Sequence, residues 1–170
     1  LIAALALRGE AVGIGGVQFL VGAGMGAGIG WMQGRVIRGV IHKSTPWIWS
    51  SILGLAAPFL VSDVSKTAGW NIPYSLMVCV VLGGIIAGVW QALILRPHFR
   101  SAGWWAPATA AGWTIAARTA YVADSWTRSH SIRGFKGLFV YLGIVAAGGL
   151  ILGLITGFCL AWMTGGRKTK

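Results

Sequence analysis

Apolar residues gather into five runs, at 11–34, 46–62, 74–95, 102–122 and 137–163, separated by shorter polar stretches. A bilayer core is crossed by a helix of about 20 predominantly apolar residues, so each run is a candidate span. The run 74–95 carries no charge at all. The run 46–62 is short and contains Pro58, but Pro46 at its start suits the first turn of a helix. The run 102–122 contains Pro107 and, near its far end, Arg118. The pattern predicts an all-α polytopic transmembrane bundle of about five spans, folded as a single integral membrane domain over residues 1–170. If 46–62 and 102–122 lay flat on the membrane surface, three spans would remain.

Within the first run, Gly22, Gly26, Gly30 and Gly34 recur every four residues, which stacks them on one helix face. In water such a ladder would cost roughly 1 kcal/mol per glycine relative to alanine. Between membrane helices it lets a second backbone approach closely. A shift of 58 residues aligns Gly26 with Gly84, Gly30 with Gly88, Gln33 with Gln91, Arg38 with Arg96, Trp47 with Trp105 and Gly54 with Gly112. This suggests a two-helix repeat, with units 11–62 and 74–122, followed by an extra span at 137–163. Two-span units run parallel, related by an axis along the membrane normal. The last run echoes the ladder with Gly149, Gly153 and Gly157, but has Leu160 where the glutamine would stand. The glycine faces of the first, third and fifth runs are therefore expected to converge on an intramolecular seam.

Composition strengthens the membrane assignment. The chain is 56% hydrophobic and only 10% charged, with mean hydropathy +0.74, whereas soluble domains carry about 25% charged residues. Fourteen Lys and Arg face three acids, Glu10, Asp63 and Asp124, for a net charge of +11. In a water-soluble chain that balance would suggest nucleic acid. Here it fits loops held on the cytoplasmic side against anionic lipid, with no nucleic-acid partner. Five spans put Arg35, Arg38, Lys43, Arg96, Arg100, Arg167, Lys168 and Lys170 on one side, which predicts the N-terminus outside and the C-terminus inside a bacterial inner membrane, cytoplasmic or photosynthetic. Trp31, Trp47, Trp49, Trp90, Trp104, Trp105 and Trp162 then fall near the inner boundary, Trp70 and Trp126 near the outer one, and Trp113 mid-span. Indoles favour the headgroup level, so Trp31, Trp47, Trp49, Trp104 and Trp105, with Arg35, Arg38, Arg96 and Arg100, are expected at the lipid interface.

The best-developed copy of the repeat runs Gly84-Ile-Ile-Ala-Gly88-Val-Trp-Gln91-Ala-Leu-Ile-Leu95-Arg96, then Gly103-Trp-Trp-Ala-Pro-Ala-Thr-Ala-Ala-Gly112-Trp113. In this it resembles small Gly- and Trp-rich polytopic bacterial membrane proteins that repeat a Gly-xxx-Gly-xx-Gln…Leu-Arg…Trp-Trp…Gly-Trp pattern. The resemblance covers the first four runs and implies a style of fold, with no activity and no functional residue.

Few side chains carry candidate chemistry. Gln33 and Gln91 could line a polar site for a substrate, water or a pigment's polar group, or could form interhelical hydrogen bonds, the simpler reading. His42, His98 and His130 lie in loops or at run ends, without the spacing of metal ligands, so no metal site is expected. Arg118 is placed to snorkel to the outer surface, with Asp63 as one candidate partner. Cys79 and Cys159 sit in apolar runs and read as packing residues. No run contains a carboxylate, and no nucleophile–base pair or phosphate loop is evident. These features favour a non-catalytic accessory subunit of a larger membrane complex, with other membrane subunits and lipid as partners. An electron-transfer or light-harvesting assembly is one host consistent with the Trp and His content. No cofactor is evident; bound lipid is expected, and the composition permits pigment contacts. A small channel or carrier, and an anionic-lipid-binding scaffold, are the alternatives.

Overall fold

A computed structural model describes residues 18–39, 41, 43–70, 76–129 and 134–165. Among them are five α-helices and no strand: α1 (Gln18–Ile37), α2 (Thr45–Thr67), α3 (Leu76–Leu95), α4 (Trp105–Ser129) and α5 (Gly134–Gly165). A single 3-10 turn, Ala102–Trp104, leads into α4. Three helices are long and apolar enough to cross a membrane: α2, α3, and α5 over Phe135–Gly165. The glycine-rich α1, and α4 with Pro107 and Arg118, do not reach that hydropathy.

Helix boundaries differ from the apolar runs in an instructive way. The helix α2 continues past residue 62 to Thr67, so Asp63 and Lys66 belong to its last turns rather than to a loop. It stops at Gly69, whose φ of 76° suits glycine. There Gly69 N–H donates to the Lys66 carbonyl at 3.1 Å and Trp70 N–H to the Ser65 carbonyl at 2.9 Å, a Schellman-type ending. Likewise α4 runs on to Ser129 and α5 begins at Gly134, which narrows the polar connection expected over 123–136. Polar side chains do not end a helix whose backbone bonds remain satisfied; capping geometry does. Residues 11–17 of the first run lie outside the described residues.

Consecutive helices pack against one another along the chain, α1 on α2, α2 on α3, α3 on α4 and α4 on α5. Each of these crossings is built on glycine. A Cβ added at Gly22 would sit 2.6 Å from Phe59, at Gly26 2.6 Å from the Ile52 backbone, and at Gly30 2.8 Å from Ser51. At Gly34 the gap has opened to 3.4 Å from Ser44. Gly24 and Gly28, on the other face of α1, have nothing within 4 Å. The ladder therefore marks the α1–α2 seam. A Cβ added at Gly54 would sit 2.7 Å from the Ala87 backbone across α2–α3, at Gly84 it would run into Trp113 and at Gly88 into Thr109 across α3–α4, and at Gly112 it would sit 2.6 Å from Leu152 across α4–α5. Such approaches maximise van der Waals contact, the main attraction where lipid offers no hydrophobic drive between helices.

Two apolar clusters fill the bundle. One joins Leu55, Phe59, Cys79, Val80, Trp113, Ala117 and Leu152. The other lies at the opposite end and draws on all five helices and their loops: Ile37, Ile41, Trp47, Leu95, Phe99, Ala102, Trp105, Cys159 and Met163.

One expectation fails here. Gly149, Gly153 and Gly157 do not join a central seam; all three are exposed, and none has a neighbour within 4 Å of an added Cβ. The helix α5 instead turns Gly148, Leu152, Thr156, Cys159 and Met163 inward. The first three of these residues share the four-residue spacing of the glycine stripe, and Gly148 packs against Ala116 and Thr119 of α4.

Candidate functional site

The polar centre of the bundle is a hydrogen-bonded network across the first four helices. Gln91 on α3 is 3% exposed. Its Oε1 accepts from the Trp105 indole N–H at 2.9 Å, and its Nε2 donates to Ser51 Oγ on α2 at 2.9 Å. The Ser51 hydroxyl donates in turn to the Trp47 carbonyl at 3.0 Å, which also accepts from Ser50 at 2.8 Å. The Trp47 indole N–H donates to Gln33 Oε1 on α1 at 3.3 Å. The two indoles meet edge to face, with centroids 5.3 Å apart and planes at 63°, a favoured aromatic geometry.

Sequence periodicity explains how these groups meet. Each glutamine lies one turn or less beyond a packed glycine, Gln33 after Gly30 and Gln91 after Gly88, so it projects into the same crossing. Each accepts from a tryptophan 14 residues later, beyond the connecting loop. The facing residue is small in both cases: Gly30 abuts Ser51 and Gly88 abuts Thr109. One difference separates the two arrangements. Ser51 has Gln91 as a partner, whereas the buried Thr109 hydroxyl has none. On α5, the buried Thr156 hydroxyl is turned back to the carbonyl of Leu152 at 2.8 Å.

Trp47 and Trp105 are therefore core residues, 0% and 2% exposed, and not part of a lipid-facing rim. Burial is affordable because each indole N–H has an acceptor. Trp31, Trp49 and Trp104 are exposed. Arg35 stacks on the Trp31 ring with its guanidinium carbon 3.9 Å from the centroid. Arg38 Nε donates to Ser44 Oγ at 3.3 Å. Arg96, Arg100 and His98 are exposed beside the α3–α4 turn. His42 and His130 lie outside the described residues. Arg118 is exposed and reaches over Tyr121 at 5.2 Å.

Asp63, one candidate partner for Arg118, has another role. It is buried, and its Oδ2 accepts from the Phe19 N–H at 2.9 Å. It thus caps the first turn of α1 from the side of α2, where backbone N–H groups lack intrahelical acceptors. Its Oδ1 has no hydrogen-bond partner. One turn on, Lys66 Nζ donates to Gln18 Oε1 at 3.1 Å and ties the same ends together. Sequence reading missed this cap because Asp63 follows the apolar run; its position i+4 from Phe59, which faces α1, was the available signal.

No group of three or more His, Cys, Asp or Glu side chains is placed to hold a metal among the described residues. The described residues form an all-helical bundle, three of its helices apolar enough to cross a membrane, around a glutamine–tryptophan network whose amides and indoles are paired. Comparison with family models, curated proteins and solved structures returns no match for the chain.

Proposed function

We propose that this chain is a non-catalytic integral membrane subunit that docks onto a larger membrane assembly through the outer face of α5. The observation that carries this reading is the stripe Gly149, Gly153 and Gly157, exposed and without a neighbour. Elsewhere in the bundle glycines at this spacing seat a neighbouring helix, as along α1. On α5 they leave a shallow track of the same kind with no helix in it, flanked by exposed Leu150, Leu154 and Phe158. The apolar window of α5 is only 12% buried, against 44% for α2 and for α3. Lipid gains little from a glycine track, but a second helix gains close contact.

The paired glutamine–tryptophan network supports the non-catalytic part. Gln91 and Ser51 spend their hydrogen-bonding groups on each other and on the two tryptophans, which favours a structural role over a path for solutes. Five crossings, with α1 and α4 included, are favoured by the shared glycine seams. A two-helix repeat is favoured by the matching glutamine–tryptophan pairs. Arg35, Arg38, Lys43, Arg96 and Arg100 gather where α1 and α3 end and α2 and α4 begin, which favours that end on the cytoplasmic side.

A photoreactive residue at position 153, activated in native membranes, tests the docking. The expected result is a discrete adduct with another membrane protein that is absent from the same probe at Gly28, which is exposed and open on α1. Labelling of lipid alone from both positions would refute it.

A further inference from the structure

A groove of about 700 Å³ runs between the start of α4 and the end of α5, outside the central network. Trp104, Pro107 and Ala108 form one wall, and Leu154, Phe158 and Trp162 the other. The glycine-seated contacts of the two helices, Gly112 on Leu152 and Gly148 on Ala116, lie further along, and at this end Trp105 packs with Cys159 and Met163 beside the groove. Towards Trp104 the small side chain of Ala108 leaves room that the large rings on either side do not close. The lining offers almost nothing to hydrogen-bond a polar ligand.

The turn that leads into the Trp104 wall of the groove is basic. Arg100 precedes Trp104 by four residues, so their Cα atoms are at most about 14 Å apart. Arg96 lies in the same turn, and both arginines are exposed. None of the chain's acids, Glu10, Asp63 and Asp124, falls in the segments 92–108 or 150–165 that make this end. The exposed indoles of Trp104 and Trp162 sit on the two walls, and indoles favour the headgroup level of a bilayer.

We infer that the groove holds one acyl chain of an anionic phospholipid, with its phosphate held by Arg96 and Arg100. An apolar slot takes the chain, and two unopposed guanidinium groups take the headgroup. Arginine suits this because its planar fork binds phosphate oxygens in pairs. The inference rests on the reading that α5 lies in a bilayer; the groove shares Leu154 and Phe158 with the flank of the proposed docking track, so the two are separated by variants on the α4 side.

The test uses the full chain in nanodiscs of equal phosphatidylglycerol and phosphatidylcholine with identical acyl chains, released and weighed by native mass spectrometry. One retained phosphatidylglycerol is expected, preferred about thirtyfold over phosphatidylcholine from about 1 kcal/mol for each of the two basic side chains. The double variant Arg96→Gln/Arg100→Gln should lose the preference while keeping the bundle. Ala108→Phe should fill the slot and lose the retained lipid. Absence of retained lipid, equal retention of both lipids, a preference that survives the arginine variant, or an apolar molecule other than phospholipid in the groove would each overturn the inference. The arginine variant leaves the outer face of α5 untouched. Crosslinking from position 153 in that variant therefore reports separately on docking.

Discussion

Replacing Gln91 by leucine probes the core where the most bonds depend on one side chain. The two residues have similar volume and helix propensity, so packing and backbone are nearly unchanged. Two interhelical hydrogen bonds are lost, those to Trp105 and to Ser51, each 2.9 Å long. In membrane proteins such bonds average about 0.6 kcal/mol, with a maximum near 1.7. The Trp105 N–H, on a side chain 2% exposed, is also left without an acceptor, at a cost of about 1–3 kcal/mol. Ser51 retains the Trp47 carbonyl and adds little. The expected loss is therefore about 2–4 kcal/mol. Unfolding in mixed micelles by titration with a denaturing detergent measures it. Trp105→Phe removes the N–H but keeps most of the ring. In that background Gln91→Leu should cost about 1–3 kcal/mol less, a coupling well beyond the roughly 0.3–0.5 kcal/mol scatter of independent sites. A neutral Gln91→Leu, or losses that simply add, would refute the argument that this network holds the helices in register.

Two further contrasts follow from the same geometry. Gly26→Ala drives a Cβ into the Ser51 and Ile52 backbone and should lower thermal stability in detergent sharply, whereas Gly28→Ala meets nothing within 4 Å and should be neutral or stabilising. Thr109→Val removes a buried hydroxyl that has no partner while keeping the side chain's shape; the melting temperature should hold or rise, whereas Ser51→Ala, which strands the Gln91 amide, should lower it by about 1–3 kcal/mol equivalent.

The sequence made some of this architecture legible and hid the rest for physical reasons. The ladder Gly22 to Gly34 was readable because four-residue spacing selects one face, and Gly24 and Gly28 supply the contrasting face on the same helix. Gln33 and Gln91 were readable as interhelical bonds because an amide in an apolar run needs a partner. Trp47 and Trp105 were not, since an indole beside a basic loop has the same local sequence whether it faces lipid or core. Their shared 14-residue distance from a glutamine was the signal that could have placed them. On α5, two stripes with four-residue spacing lie side by side, Gly149-Gly153-Gly157 and Gly148-Leu152-Thr156. Which one faces α4 depends on shape fit to Gly112, Ala116 and Thr119, and that fit is absent from any single-helix pattern.

The proposed docking through α5 stands or falls on a partner held along Gly149, Gly153 and Gly157. Its most direct test is the mass of the particle extracted from native membranes in mild detergent, for the unaltered chain and for Gly153→Leu. The substituted position is exposed and open, so the bundle itself should keep its melting temperature. A particle well above the mass of the chain alone is expected, with Gly153→Leu released as the free bundle. A monodisperse free bundle from the unaltered chain, or a complex that survives Gly153→Leu, would contradict it.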